Sequence, residues 1–200
     1  MMRTPRKAWA PLAGVVLGCL LLTIGSPGGV SVAVGASGTV KTAQANPPGD
    51  IPDTQAFVVY RSSAGGYELQ VPEGWARTTR GPDVQFTDKF DGVQVTITHA
   101  ARAPSADRTR AEVVAALPQS GPAVHVTKVQ NVHLPSGTTV LVEYTSTSGP
   151  DPVTNRRVRL ENSAYLFFKS GQLATLTLWA PVGADNVDQW GRMARSFRWL

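Results

Sequence analysis

The sequence predicts an α+β domain in which helices flank an antiparallel β-sheet. In residues 67–75, apolar and polar residues alternate until Pro72 and Gly74 end the run before Trp75, as at the end of a half-buried strand. Similar alternating segments, separated by tight-turn residues, continue to residue 179 and indicate hairpins. In residues 185–199 the apolar residues recur at helical spacing. Together these patterns predict strands joined by hairpins and covered by a C-terminal helix.

The first 25 residues are predicted to be a signal peptide or a membrane anchor. Arg3, Arg6 and Lys7 precede an uncharged and mostly apolar segment, residues 8–24. As a helix with a rise of ~1.5 Å per residue, this segment would span about 25 Å, slightly less than the ~30 Å hydrocarbon core of a bilayer. The basic residues keep the N-terminus in the cytoplasm, so the rest of the chain is expected to be exported. The expected location is the extracytoplasmic cell envelope, either membrane-anchored or secreted.

Three processing outcomes of this segment stay open. Residues 43–45 (Ala-Gln-Ala) have the form of a cleavage site, although they lie far from the apolar run, and an uncleaved anchor fits equally well. Cys19 ends a weak lipobox, Val-Leu-Gly-Cys, but apolar residues follow it where a mature lipoprotein normally becomes polar, so lipidation is the least favoured outcome. Cys19 is also the single cysteine, so the predicted domain has no disulfide and no thiol site.

Residues 26–56 are predicted to form a flexible linker. They are rich in Gly, Ser, Ala, Thr and Pro, a composition that buries little apolar surface. The predicted organisation is therefore a signal peptide or anchor over residues 1–25, a linker over residues 26–56, and one domain over residues 57–200 that is expected to be monomeric.

The net charge of +5 does not imply a nucleic-acid partner. Residues 1–50 contain four basic residues and one acidic residue, so +3 of the +5 belongs to the targeting segment and +2 remains for residues 51–200. A nucleic-acid-binding domain is expected to have a dense basic surface of its own. We therefore expect no nucleic-acid partner.

Strands are predicted wherever alternating segments lie between turn signals. Residues 57–61 and 67–71 are predicted to pair about Ala64-Gly65-Gly66, and residues 84–100 to form a hairpin about Asp91-Gly92. The other predicted strands are residues 124–134, 140–144, 158–168 and 173–179, with turns at residues 81–83, 135–137 and 170–171.

Two helices are predicted. Ser105 is expected to cap a helix over residues 107–117 whose apolar face includes Ala111, Val114, Ala115 and Leu117 and which Pro118 ends. The second covers residues 185–199. Its apolar face is formed by Val187, Trp190, Ala194 and Phe197, and its acids precede its arginines, which complements the helix dipole.

The order of these elements resembles the PsbP-like (Mog1/PsbP) superfamily, and in particular its exported or lipid-anchored actinobacterial members. The resemblance rests on the Val-Pro-x-Gly-Trp turn in residues 67–75, the Phe86 strand, the hairpin of residues 165–179 and the C-terminal helix with Trp190 and Ser196-Phe197. It spans roughly residues 57–199. The resemblance implies an antiparallel sheet between helices and a role as a binding or assembly partner, since no catalytic residue defines the superfamily.

No catalytic or metal-binding motif is recognisable. His99, His125 and His133 all lie in or beside predicted strands, and on an unbroken strand His125 and His133 would share one face about 26 Å apart, too far for one metal ion. We interpret them as ordinary sheet residues. Neither a Gly-x-Ser-x-Gly motif nor a Walker-type or Rossmann-type glycine motif appears. No cofactor and no metal are therefore expected.

The candidate binding residues are arginines and one tryptophan. Arg157 and Arg159 would share a strand face with Glu161, and with Arg156 they offer guanidinium groups suited to an anion or a headgroup, although a solvated sheet face is the commoner explanation. Arg77 and Arg80 beside Trp75 form a second candidate group. Trp75, Trp179 and Trp190 each fall on an apolar phase of their element, which predicts core positions.

The function that these features favour is a non-catalytic, membrane-tethered binding or assembly module of the cell envelope. Its partner would be an envelope protein or a small apolar or anionic ligand. The alternative is an envelope hydrolase whose Ser, His and acidic residues are scattered along the chain. A third hypothesis is a structural domain that braces a membrane complex.

Overall fold

The computed structural model describes residues 49–112, 124–151 and 153–200. The strands are β1 (Phe57–Ser62), β2 (Tyr67–Pro72), β3 (Ala76–Arg80), β4 (Asp83–Asp88), β5 (Asp91–His99), β6 (His125–Leu134), β7 (Gly137–Thr147), β8 (Arg159–Lys169), β9 (Gln172–Pro181) and β10 (Arg198–Trp199). The helices are α1 (Ala106–Glu112) and α2 (Val187–Ser196).

These strands form two antiparallel sheets. The larger has seven strands in the order β3-β4-β5-β9-β8-β7-β6, and the smaller has three in the order β1-β2-β10. The fold class is therefore the α+β antiparallel architecture that the sequence predicts. Every predicted strand has a counterpart, whereas the division into two sheets was not expected.

The main core lies between one face of the large sheet and the small sheet together with α2. Tyr67, Leu69 and Val71 of β2 are buried there, as their alternation predicts. The Phe197 ring stacks on Phe167 with ring centroids 4.1 Å apart and on Tyr67 at 5.7 Å. A second apolar cluster on the other face of the large sheet includes Val142, Tyr144 and Leu166, so both faces of β7 and β8 carry buried residues.

The turn predicted at Asp91-Gly92 is wrong by two residues. Asp88 pairs with Asp91, so the β4–β5 turn consists of Lys89 and Phe90, and Lys89 adopts the positive φ of 51°. Gly92 lies inside β5 because the Trp179 ring packs directly over it. A Cβ atom at this position would lie 1.8 Å from Trp179 Cζ2. This glycine therefore makes room for a neighbouring ring and does not form a turn.

The C-terminal helix is shorter than predicted, and its fully buried residues agree with the predicted apolar face only at Ala194. The α2 helix ends at Ser196, and Phe197 is extended with φ −61° and ψ 130°. Arg198 and Trp199 then pair with β2, so they belong to a strand and not to the predicted last helical turn. The buried helix residues are Gln189, Met193 and Ala194. Val187 is 76% exposed, so its predicted place on the apolar face is wrong.

The first helix and the N-terminal segments can be compared with their predictions only in part. The Ser105 carbonyl accepts the backbone N–H groups of Arg108 and Thr109, which places Ser105 at the start of α1. The rest of the predicted helix, residues 113–117, lies outside the described residues, as do the targeting segment and Cys19. Within the ranges that the structure describes, no helix has both the length and the hydropathy needed to cross a membrane.

The end of the predicted linker is packed against the domain. The backbone N–H of Ile51 donates to Asn186 Oδ1 at 2.7 Å, and Asn186 Nδ2 donates to the Gly49 carbonyl at 2.8 Å. The Ile51 side chain is buried in the main core. The folded domain therefore includes residues 49–56, and the boundary predicted at residue 57 lies too late in the chain.

Truncation at the predicted boundary should weaken the domain. A fragment of residues 57–200 lacks the Ile51 side chain, whose full burial contributes about 1.5–3 kcal/mol. We expect it to unfold at lower denaturant concentration than a fragment of residues 49–200, by roughly 2 kcal/mol in free energy of unfolding. The matched control, Ile51→Ala in the longer fragment, should account for most of the loss. Equal midpoints for both fragments would contradict the packing of this segment.

Candidate functional site

The six residues predicted from the sequence lie in two separate places. One group is on and beside edge strand β3, and the other is at the start of β8. Four inter-strand steps of ~4.8 Å separate β3 from β8, or roughly 19 Å. The structure therefore brings the members of each group together and keeps the groups apart. The first group is Trp75, Arg77 and Arg80, and the second is Arg156, Arg157 and Arg159.

The group at β3 is arranged as an edge strand usually is. Trp75 is half-buried and packs against the main core. Arg77 lies over the Tyr60 ring, 5.8 Å from its centroid, and Arg80 is exposed opposite Asp83. Charged side chains on an edge strand discourage pairing with other sheets. This role accounts for both arginines without a ligand.

In the second group, two of the three guanidinium groups already have partners within the chain. Arg157 Nη1 donates to the Ser148 carbonyl at 3.0 Å, and Arg159 Nη2 donates to Thr145 Oγ1 at 3.2 Å. Arg157 precedes β8, so the strand face predicted for three residues holds only Arg159 and Glu161. Arg156 is exposed in the loop before β8. Anion binding by this group stays a prediction.

The three histidines do not converge. All three are exposed, His99 on β5 and the other two on β6. A β-bulge at Thr127 shifts the register of β6, so His125 pairs with Thr145 whereas His133 pairs with Thr138. These partners lie on opposite faces of β7, which places His125 and His133 on opposite faces as well, not on the shared face predicted. Among the described residues, no three His, Cys, Asp or Glu side chains are grouped to hold a metal ion.

The structure contains a polar cleft that the sequence analysis missed. It lies between strands β6 to β8 and the N-terminal half of α2, with a volume of about 360 Å³. Its floor and walls include Glu143, Thr145, Glu161, Ser163, Tyr165 and Trp190. The small sheet and α2 cover the neighbouring part of the large sheet, and the cleft opens where this cover ends.

The polar floor follows from strand register. Glu161, Ser163 and Tyr165 alternate along β8, so their side chains point to the same face about 6.6–6.8 Å apart. Ser163 pairs with Glu143 of β7, and Glu161 pairs with Thr145. Residues directly opposite have Cβ atoms ~4.5–5.5 Å apart. Two carboxylates and two hydroxyls therefore form one compact patch beneath α2.

Burial changes the titration of this patch. Glu161 is half-buried, and its burial raises the pKa of its carboxyl, opposed by a hydrogen bond from the Gly183 backbone. Burial also raises the pKa of Tyr165, and the charge of Glu143 adds to this shift. Glu143 itself lies 3.7 Å from Lys128 Nζ. That ion pair is largely exposed, so it contributes little to stability.

The helix wall of the cleft is held by the packed N-terminal segment. Asn186 precedes α2, and its side chain bonds the backbone of Gly49 and Ile51. The Asp185 backbone N–H donates to Asp50 Oδ1 at 2.8 Å. These bonds fasten the start of α2 to residues 49–51, and the Trp190 backbone N–H in turn donates to the Asn186 carbonyl at 2.8 Å. Trp190 is half-buried at the edge of the core, so its predicted core position is only part of its role.

One signal for the cleft was present in the sequence. Glu143 and Thr145 on one strand, and Glu161 and Ser163 on the next, are polar phases of two strands that pair directly. Of these four residues, only Glu161 belongs to a strand face considered from the sequence, where a solvated sheet face is the commoner explanation. Their burial depends on the packing of α2, which begins more than twenty residues later in the chain. Strand periodicity alone carries no information about that contact.

Comparison with known proteins identifies the fold. No protein-family model matches the chain, and no curated protein matches it. The solution structure of cyanobacterial PsbP (CyanoP) from Synechocystis sp. PCC 6803 superimposes with a TM-score of 0.53 at 18% identity, covering 84% of this chain and 99% of that one. The Saccharomyces cerevisiae Ran-binding protein Mog1p gives a TM-score of 0.48 at 9% identity, covering 72% of this chain and 96% of that one.

The chain is thus an α+β protein whose antiparallel sheet is covered by a small sheet and helices. More narrowly, it has the PsbP-like (Mog1/PsbP) fold, which confirms the fold that the resemblance implied. At this level of identity the likeness concerns the fold alone. Membership of the actinobacterial subgroup stays a prediction.

Proposed function

We propose that the chain is a non-catalytic binding module of the cell envelope, exported and held at the membrane by its N-terminal segment, and that the cleft beneath α2 is its binding surface. The observation that carries the proposal is the cleft itself. It combines a polar floor on a rigid sheet with an aromatic wall on a helix. Export and tethering rest on the basic residues and the apolar run at the N-terminus.

Binding explains the cleft better than hydrolysis does. A serine nucleophile needs a base within hydrogen-bond reach, and His is the usual one. His125 of β6 pairs with Thr145 of β7, and β7 in turn pairs with β8, which carries Ser163, so two strand spacings of ~4.8 Å separate β6 from β8. Among the described residues, no histidine forms a hydrogen bond with a serine or acidic side chain. The hydrolase alternative therefore has no assembled site to support it.

Site-specific crosslinking in cells should locate the binding surface. With a photoreactive amino acid at Val187, which is 76% exposed at the cleft, we expect a discrete adduct in the membrane fraction. The matched control is Val153, which is 90% exposed in the β7–β8 loop and does not line the cleft. We expect no adduct from that position. Equal adducts from both positions, or none from Val187, would refute the proposed surface.

The location can be tested separately from the surface. A reporter enzyme that works only outside the cytoplasm is expected to be active when it is fused after Leu200. The chain should also sediment with membranes. A fusion that is active only as a cytoplasmic reporter would exclude export, whatever the crosslinking shows.

A further inference from the structure

The floor of the cleft has acceptor groups that can receive further hydrogen bonds. Glu143 lies near Lys128, and Thr145 accepts a hydrogen bond from Arg159, so two of the four polar residues already face cations of the chain itself. Within the part of the chain that the structure describes, Glu161 forms no ion pair. Ser163 is only 7% exposed and lines the cleft, and its hydroxyl takes part in none of the hydrogen bonds among the described residues. Its Oγ is not among the buried atoms that lack a partner, so it stays open to the cleft, where a ligand donor can reach it.

The charges that line the cleft exclude two ligand classes. The lining residues include two carboxylates and no Lys or Arg, since Lys128, Arg159 and Arg195 lie outside the lining. An anion would meet these carboxylates without a lining cation to neutralise it. An apolar ligand would remove water from the Ser163 hydroxyl and from the Glu161 carboxylate, which would keep only its hydrogen bond from the Gly183 backbone. The small apolar or anionic ligand expected from the sequence therefore does not suit this site.

A cation with N–H donors suits the cleft on three counts. Glu143 and Glu161 occupy diagonal positions on paired strands, about 7–8 Å apart, so one cation between them is close to both carboxylates. Ser163 lies beside that position and can accept a hydrogen bond from it. Tyr165 and Trp190 supply aromatic faces of the kind that attract ammonium and guanidinium groups.

We infer that the cleft binds the arginine or lysine side chain of a partner protein, which presents a guanidinium or ammonium group to Glu161, Ser163 and Glu143. The inference rests on the proposed function, because it names the chemistry of the same surface. The cleft volume of about 360 Å³ holds one long side chain and a short stretch of its backbone. A basic side chain has the length and the apolar stem to pass along Trp190 and reach the carboxylates.

A pair of isosteric probes tests the charge requirement. N-acetyl-arginine amide and N-acetyl-citrulline amide have the same shape, but citrulline is uncharged. We would titrate each into the full-length chain in detergent and follow the Trp190 indole N–H and the Ser163 amide by NMR. The arginine probe is expected to bind at least ten-fold more tightly than the citrulline probe. Equal affinities, or no binding of the arginine probe, would overturn the inference. This test uses the unchanged chain, so its result does not depend on whether a variant folds.

Two variants then locate the contact. Glu161→Gln keeps the shape of the side chain and is expected to lower the affinity for the arginine probe at least ten-fold. Glu73 is exposed and lies outside the cleft, so Glu73→Gln should leave this affinity unchanged. Equal effects of the two variants would overturn the assignment to Glu161. Spermidine serves as the small-amine probe. If it binds more tightly than an arginine-containing pentapeptide, the ligand is a free amine and the inferred protein partner is wrong.

Failure of this inference can be distinguished from failure of the proposed function. The crosslinking experiment at Val187 is repeated with Glu161→Gln and Glu143→Gln in the same chain. Loss of the adduct supports recognition of a cation. An adduct that persists keeps the cleft as a binding surface but refutes the cationic ligand. Absence of an adduct in the otherwise unchanged chain refutes the proposed surface itself.

Discussion

Phe197→Ala is expected to lower the free energy of unfolding by about 3–5 kcal/mol, a large share of the roughly 5–15 kcal/mol available to a domain. The Phe197 side chain is fully buried and stacks between Phe167 and Tyr67, with the Trp199 ring edge-on at 5.4 Å. Its removal leaves a cavity where the small sheet, the large sheet and α2 meet. Denaturant unfolding followed by tryptophan fluorescence would measure the loss.

The control for this prediction is Val187, in the first turn of α2, the helix that precedes Phe197. Val187→Ala removes two methyl groups from a side chain that is mostly exposed, so the change should stay within ~0.5 kcal/mol. Sequence periodicity placed Val187 and Phe197 on one apolar face and would predict substantial losses for both. Similar losses of unfolding free energy for both variants would favour the predicted helical face and contradict the exposed position of Val187. A negligible loss for Phe197→Ala would show that its ring does not hold the sheets together.

Local patterns were sufficient for elements whose geometry depends on their own residues. The β8–β9 hairpin is an example, because Ser170 and Gly171 both adopt positive φ, 48° and 82°, as a two-residue hairpin turn requires. The alternation of β2 likewise predicted the burial of Tyr67, Leu69 and Val71, although Glu68 between them is buried as well. In such cases the turn residue or the side-chain period is itself the physical cause of the structure.

Local patterns failed where a distant contact decides the conformation. Asp91-Gly92 has turn chemistry, but the Trp179 ring from β9 needs the space above Gly92 within a strand. Phe197 continues a helical period, but its stacking on Phe167 and the pairing of Arg198 with Glu68 draw the chain into an extended conformation. The cleft is the same kind of feature, since Glu161 and Ser163 become a floor only when Trp190 packs beside them.

Asp91 is expected to make the domain less stable as the pH rises from about 4 to about 7. Its side chain is buried, with the residue only 6% exposed, and among the described residues its Oδ1 has no hydrogen-bond partner. Burial raises the pKa of Asp91 to about 7, and the charge of Asp88 adds to the shift. In the unfolded chain the pKa is close to ~3.9.

The sign of the effect follows from which state holds the proton. Between pH ~4 and ~7 the folded state keeps the Asp91 proton and the unfolded state has lost it, so the free energy of unfolding falls as the pH rises. Above pH 7 both states are ionised and this contribution becomes constant. A difference of about three pKa units corresponds to roughly 4 kcal/mol at ~1.4 kcal/mol per unit. Structural relaxation around the ionised carboxylate makes this value an upper limit.

Asp91→Asn removes the ionisation and should remove this slope. Compared with the unchanged chain, the variant is expected to gain roughly 1–4 kcal/mol in free energy of unfolding between pH 4 and pH 8, measured by urea unfolding at each pH. Asp151→Asn is the opposite control. Hydrogen bonds from the Thr154 backbone and hydroxyl lower the pKa of Asp151, so its contribution is present at neutral pH and lost as the pH falls, and its removal should cost stability at pH 7 but not in acid. If Asp91→Asn shifts the unfolding free energy equally at pH 4 and pH 8, the buried carboxyl does not titrate in this range and the assignment of the slope to Asp91 is wrong.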